Sequence, residues 1–223
     1  VAYEYLNKVN REFIHRILAL FNTMAKQVCE GQQLDMEFAQ RALQRSPDEP
    51  SGDKNNSVSF EDYVSMIRLK TSVLLGASLQ AGALLGGAGT GNQQHLYEFG
   101  TNLGIAFQVQ DDYLDAFGDP EKFGKKQGGD IMANKKTFLL IQALHSGTPS
   151  QVEELQQLMQ TNDDNKIPRV LNIYRACNLG DWAKELKQSY MAQAMVHLEE
   201  TAVLSARKKP LEELATYLLD REI

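Results

Sequence analysis

Apolar residues recur every three or four positions along nearly the whole chain, and this helical period constrains the fold more than any other feature of the sequence. It is clearest over residues 10 to about 43, where the apolar stripe comprises Phe13, Ile17, Leu20, Phe21, Met24 and Val28. No segment alternates apolar and polar residues as a half-buried strand does. The sequence therefore predicts an all-α protein, and helices of this length indicate a helical bundle.

Turn-forming and capping residues divide the chain into separate helices. A polar stretch over residues 46–53 is the only linker-like segment. Ser59 precedes Asp62 by three residues, which resembles a capping box, and we expect its helix to continue to about residue 89. Asn92 is expected to cap the next helix. The predicted helices of this single domain are 10–43, 59–89, 92–117, 136–146, 150–161, 167–178, 181–207 and 210–221.

Charge and hydropathy exclude several classes of protein. The 23 basic and 29 acidic residues give a net charge of −6, so no basic field attracts nucleic acid. The most apolar stretch, residues 73–89, contains Gln80 and is shorter than the roughly 18 apolar residues of a membrane span, which predicts a buried helix. Cys29 and Cys177 lack the spacing of a zinc site or a disulfide framework, which favours a cytoplasmic protein.

Three carboxylates crowd one turn of the helix expected at 92–117. Asp111 and Asp115 are four residues apart, so they share a face about 5–6 Å apart, with Asp112 beside them. Like charges this close repel unless a cation lies between them, and a divalent metal meets that need. The same face also carries Gly100, Gly104 and Gln108. The alternative is an acidic helix end that only faces water.

A basic, glycine-rich segment follows the aspartates. Residues 123–131 read Phe-Gly-Lys-Lys-Gln-Gly-Gly-Asp-Ile, and residues 134–137 read Asn-Lys-Lys-Thr. Magnesium binds through one or two carboxylates plus water and phosphate oxygens, while lysines bind the same phosphates as point charges. The combination predicts Mg²⁺ and a diphosphate ligand. For Lys126 and Lys136, the alternative is that they only balance the neighbouring acids.

Two other helices carry polar residues on apolar stripes. The stripe of the first helix extends to Gln32 and Asp35, and a carboxylate in such a position needs a partner or a metal-bound water. The stripe of the second helix comprises Phe60, Val64, Ile67, Thr71 and Leu74. Thr71 is its polar member, and Lys70 is adjacent to it. Each group alone is typical of a satisfied boundary residue. Together they predict a ligand site inside the bundle.

These motifs together resemble those of trans-isoprenyl diphosphate synthases, with farnesyl and geranylgeranyl diphosphate synthases as the most similar members. The resemblance rests on residues 107–115, 124–131 and 134–137, with 31–35 and 70–71 similar to two further family signatures. It covers essentially the whole chain. It implies an all-α isoprenoid-synthase bundle with a central cavity, usually a homodimer, in which Mg²⁺ assists the joining of isopentenyl diphosphate to an allylic diphosphate.

The resemblance also implies a role for each matching residue. In the family, aspartates of the second aspartate-rich motif hold Mg²⁺ against the allylic diphosphate, lysines bind that diphosphate, and polar side chains line the reacting carbons. The corresponding residues are Asp111, Asp112 and Asp115 for the metal; Lys70, Lys125 and Lys135 for the diphosphate; Thr71, Gln108 and Gln32 for the reacting carbons; and Asp35 and Asp130 for orienting lysines or metal-bound waters.

One part of the family pattern does not occur in residues 1–223: a first aspartate-rich motif and an arginine pair, which the family carries on preceding helices. We therefore expect this chain to be the C-terminal portion of one polyprenyl synthetase domain, inactive in prenyl transfer by itself. Family members set product length largely by side chains beneath that first motif. Farnesyl diphosphate, made from dimethylallyl or geranyl diphosphate, is the expected product.

Two other functions compete with a prenyltransferase. A non-catalytic partner subunit of a heteromeric synthase would keep the fold, but it has no physical need to hold repelling carboxylates together. A class I terpene cyclase of the same fold would carry Asn, Ser and Glu in its second metal motif, where this chain has Asp-Asp-Tyr-Leu-Asp at 111–115. The sequence favours the prenyltransferase.

Overall fold

The computed structural model describes residues 2–41, 58–119, 127–161, 163 and 165–219. In these ranges all regular structure is helical, as the periodicity predicts. The helices are α1 (Ala2–Leu6), α2 (Arg11–Gln40), α3 (Phe60–Ile67), a π-helical segment (Arg68–Ser72), α4 (Val73–Leu85), α5 (Thr90–Phe117), α6 (Gly129–Met132), α7 (Phe138–Ser146), α8 (Pro149–Leu158), α9 (Lys166–Ala176), α10 (Leu179–Glu200) and α11 (Ser205–Leu219).

Helix α5 lies at the centre of the bundle and packs against α4 and against α10. Around its first half, the buried core includes Phe99, Leu103, Ala194 and Leu198. A larger core, which includes Tyr63, Phe138 and Tyr174, joins its second half to α3, α7, α8 and α9. Both cores immobilise α5, so the aspartates near its C-terminus are presented by a rigid element.

The helix predicted from Ser59 begins as expected but contains an irregular segment. Ser59 and Asp62 form the predicted capping box, in which each side chain accepts from the backbone N–H of the other residue. The chain then continues from α3 through the π-helical segment Arg68–Ser72 into α4. A π-turn adds a residue and shifts the phase of the stripe, so Val73 is buried and Leu74 is 47% exposed. Helix α4 is therefore only half-buried, contrary to the buried helix expected.

The C-terminal helices differ from the prediction near a contact made by Asn92. This residue does not cap α5, which begins at Thr90; its Oδ1 accepts a hydrogen bond from the backbone N–H of Ala202 at 2.9 Å. The contact lies at an extended turn after Glu200, where the helix expected over 181–207 is divided in two. Pro210 then lies inside α11 instead of near its start.

None of the helices in the described ranges combines the length and the apolar character that a bilayer crossing requires.

Candidate active site

A fully buried carboxylate, Asp112 on α5, is the centre of the candidate site. Its Oδ1 accepts hydrogen bonds from Gln108 Nε2 at 2.9 Å and from Lys135 Nζ at 3.2 Å. Its Oδ2 accepts from the Tyr63 hydroxyl at 2.5 Å. The Asp112 side chain has no exposed surface, so these three groups replace the water that an ionised carboxylate would otherwise bind.

The electrostatics of the site follow from this burial. Burial raises the pKa of Asp112 above its usual value, and Lys135, Tyr63 and Gln108 oppose that rise only in part. Burial alone would lower the pKa of Lys135, but the charges of Asp112 and Asp130 outweigh it and raise that pKa. Burial and the Asp112 charge raise the pKa of Tyr63 well above its usual value, so its hydroxyl stays a donor.

Asp111 and Asp115 occupy a different position from Asp112. They lie one helical turn apart on α5, and both are partly exposed. The Oδ2 atom of Asp115 accepts from the backbone N–H of Asp130 at 3.0 Å, and no described residue donates to Asp111. Burial raises the pKa of Asp115, which backbone N–H donors offset only in part, so an adjacent cation would stabilise its ionised form.

These positions test the predicted magnesium site. Carboxylate oxygens on the same face of α5 are the hard ligands that Mg²⁺ prefers, so Asp111 and Asp115 fit the ion. The geometry argues against the prediction that Asp112 also binds it directly, because the Asp112 side chain has no exposed surface and three of its roughly four acceptor positions already receive protein donors. In the part of the chain that the structure describes, no three His, Cys, Asp or Glu residues are grouped to hold a metal. Phosphate oxygens and water would therefore have to complete the shell.

The π-helical segment presents Lys70 and Thr71 beside the aspartates. The ammonium of Lys70 lies 2.7 Å from Asp35 Oδ2, and Thr71 Oγ1 donates to Gln108 Oε1 at 3.4 Å. Close backbone packing holds the segment: a Cβ on Gly31 of α2 would overlap the backbone of Lys70. A Cβ on Gly104 of α5 would lie 2.7 Å from Ser72 Cα.

Hydrogen bonds join six of the predicted site residues in one network: Thr71, Gln108, Asp112, Lys135, Asp130 and Asp115. Asp35 pairs with Lys70 beside this network, and Asp130 pairs with Lys135 at 3.0 Å, which is compatible with the predicted orienting roles. Asp111 and Gln32 lie outside the network, and Gln32 is exposed. Lys125, and also Lys126, lie outside the described residues. Lys136 is half-buried, and no described carboxylate pairs with it.

Two groups that support this network were not predicted from the sequence. Tyr63 is 1% exposed and donates to Asp112; a tyrosine between apolar positions of α3 is the only sequence signal for it. Lys166 is fully buried, and its Nζ donates to Asn134 Oδ1 at 2.6 Å and to the Thr161 carbonyl at 3.1 Å. Asn134 has a left-handed backbone (φ 56°) and directly precedes Lys135, so Lys166 supports the turn that carries that lysine.

Comparison with known families identifies the fold. The polyprenyl synthetase family model matches residues 1–177. The chain belongs to the polyprenyl synthetase family. The crystal structure of a geranylgeranyl pyrophosphate synthase superposes with a TM-score of 0.86 at 34% identity, covering 99% of this chain and 65% of that one. The all-α isoprenoid-synthase bundle expected from the sequence is thereby confirmed.

Two curated members of the polyprenyl synthetase family extend the comparison. The short chain isoprenyl diphosphate synthase of Methanothermobacter thermautotrophicus is 30% identical over 211 residues, which are 95% of this chain and 60% of the relative. The geranylgeranyl diphosphate synthase of Methanosarcina mazei is 31% identical over 224 residues, or 99% of this chain and 63% of the relative. The chain thus spans less than two thirds of the length of either relative.

Proposed function

We propose that the protein containing this chain is a short-chain prenyl diphosphate synthase that joins isopentenyl diphosphate to an allylic diphosphate. One observation carries the proposal: hydrogen bonds link the proposed diphosphate-binding and carbon-facing residues through a single buried carboxylate. The linked residues are Thr71, Gln108, Asp112, Lys135 and Asp130, with the Lys70–Asp35 pair adjacent to Thr71. Such a network keeps these side chains in place before substrate binds, which catalysis requires.

The proposed roles follow from the chemistry of each group. Lys70 and Lys135 are held by carboxylates but keep about a third of their side chains exposed, so their ammonium groups can also bind phosphate oxygens. Asp111 and Asp115 are proposed to hold Mg²⁺ against the same diphosphate. When bound, the ion would stabilise the negative charge that develops on departing pyrophosphate.

Thr71 and Gln108 are proposed to face the carbon atoms that react. In the reaction expected for the family, the allylic diphosphate ionises, the double bond of isopentenyl diphosphate attacks the allylic cation, and a proton is then lost. The Thr71 oxygen and the Gln108 amide dipole can stabilise the cation, and their mutual hydrogen bond fixes their orientation. Gln32 is proposed for the same region through the family signature at 31–35, although it is exposed here.

Calorimetry tests the metal and diphosphate part of the proposal. Inorganic pyrophosphate should bind to the protein in the presence of Mg²⁺, and EDTA should abolish binding. Asp111→Asn should weaken it at least about tenfold, because a metal ligand is lost. Asp181→Asn, a change at an exposed acid paired with Lys184 on α10, should leave binding unchanged. EDTA-insensitive binding, or equal affinities for both variants, would contradict the assignment.

Product length and assembly also belong to the proposal. The names of the relatives support a geranylgeranyl product in preference to the farnesyl product expected from the sequence, and one relative is named a geranylfarnesyl diphosphate synthase. We further propose that the chain is the C-terminal portion of a single domain and that the protein acts as a cytoplasmic homodimer.

The second candidate, a non-catalytic partner subunit, makes a different prediction. Such a subunit would fold, but it would form no prenyl product without a catalytic chain. Asp111 and Asp115 favour the enzyme, because repelling carboxylates on one face of α5 have no use without a cation. Product formation by the purified protein alone distinguishes the two functions.

A further inference from the structure

Two histidines from different helices face each other well away from the aspartates. His95 lies near the start of α5 and His197 near the end of α10, and their Nδ1 atoms are 3.4 Å apart. The rings are tilted by 44° with centroids 5.6 Å apart, so they are not stacked face to face. Both residues are partly exposed.

The packing between α5 and α10 fixes this arrangement. Phe99 follows His95 by one turn, Leu198 follows His197 directly, and both residues are buried in one core cluster with Ala194. The two rings are therefore presented by rigid helices that meet along a close-packed interface. A pair of ligands held in this way loses little entropy when an ion binds between them.

The separation of the nitrogens fits a shared metal as well as it fits a long hydrogen bond between the rings. At 3.4 Å the Nδ1–Nδ1 contact lies beyond the roughly 2.7–3.2 Å of most N–H donors. Two nitrogens bound to one tetrahedral metal, each at about 2.0–2.1 Å, lie about 3.4 Å from each other. The rings therefore already stand at the spacing that such an ion requires.

We propose that His95 and His197 form a site for a borderline divalent cation such as Zn²⁺ or Ni²⁺. Imidazole favours these ions, whereas the carboxylates of Asp111 and Asp115 favour Mg²⁺, so the two sites differ in selectivity. Asp111 lies sixteen positions after His95 on α5, a distance of about 24 Å along the helix. The inference is therefore independent of the proposed function.

Water must complete the coordination of the ion. No third His, Cys, Asp or Glu is grouped with the pair in the described ranges. The proposed site is thus open, and its ion would exchange with solvent. A bound ion would join α5 to α10 and so stabilise the folded state in proportion to its concentration.

The test is calorimetric titration of Zn²⁺ into protein without a polyhistidine tag, in excess Mg²⁺. The wild type should bind one ion per chain at this site, and Zn²⁺ should raise its unfolding temperature. His95→Gln and His197→Gln should each weaken binding at least about tenfold and remove the temperature shift. His15→Gln and His145→Gln, changes at exposed histidines on other helices, are the matched controls and should bind like the wild type.

Far-UV circular dichroism verifies the fold of each variant, and having two site variants keeps the test valid if one of them unfolds. The proposal is overturned if the wild type binds no Zn²⁺ under these conditions. It is also overturned if folded His95→Gln or His197→Gln binds Zn²⁺ as tightly as the two controls.

Discussion

Lys135→Met should destabilise the protein strongly, because Lys135 is the only cation that contacts the buried Asp112 among the described residues. Methionine keeps much of the side-chain volume but removes the ammonium group. Gln108 and Tyr63 would still donate to Asp112, yet its negative charge would have no neutralising partner. The perturbation is thus an uncompensated buried charge, not a cavity.

The size of the expected stability loss follows from the burial of Lys135 and Asp112. Removing one member of a buried ion pair costs about 3–5 kcal/mol. The Lys135 side chain is 31% exposed, so water replaces part of the lost interaction, and the partly exposed Asp130 contributes only about 0–1 kcal/mol. We expect the free energy of unfolding to fall by about 3 kcal/mol, which lowers the urea midpoint by roughly 1 M.

Equilibrium unfolding in urea, followed by far-UV circular dichroism, measures this change. Lys136→Met is the matched control, because Lys136 is the next residue, is half-buried and pairs with no described carboxylate. It should change stability by less than about 1 kcal/mol. In an Asp112→Asn background, Lys135→Met should also cost less than about 1 kcal/mol. Equal losses for the two lysine variants, or an unchanged cost in that background, would refute the reasoning.

Two further predictions concern residues that support the site. Tyr63→Phe leaves Asp112 Oδ2 without a donor and should lower the free energy of unfolding by about 1–3 kcal/mol, whereas Tyr217→Phe, at an exposed residue, should have no effect in the same urea titration. Gly31→Ala should displace α2 from the backbone of Lys70 and lower stability by about 1–3 kcal/mol. Gly82→Ala, whose Cβ would meet no atom within 4 Å, should be neutral or stabilising in calorimetric melting; similar losses for both alanine variants would exclude the packing argument.

Much of this architecture is encoded locally and could be predicted. The capping box of Ser59 and Asp62 is formed within a segment of four residues, so the residue types alone identify this motif. The i, i+4 spacing likewise places Asp111 and Asp115 on one face of α5. The family signatures implied that Asp35 and Asp130 orient lysines or metal-bound waters, and in the structure Asp35 lies beside Lys70 and Asp130 beside Lys135.

The features that were missed depend on contacts between distant segments. No residue from Arg68 to Ser72 breaks a helix, so the π-helical segment has no local signal; it is packed against Gly31 of α2 and Gly104 of α5. The turn after α10 contacts Asn92, more than a hundred residues earlier in the chain. Asp112 is buried against Tyr63 of α3. The spacing of the aspartates along α5 does not reveal this contact, so it could not distinguish Asp112 from Asp111.

The central proposal is that this network belongs to a prenyl-transfer site, and turnover tests it most directly. The protein that contains this chain would be incubated with Mg²⁺, isopentenyl diphosphate and geranyl diphosphate, and the products identified by mass spectrometry. The account predicts a prenyl diphosphate at least one isoprene unit longer than geranyl diphosphate, with a severe loss of rate for folded Thr71→Val and Asp111→Asn. A folded wild-type protein that binds both substrates and forms no longer prenyl diphosphate would contradict the account.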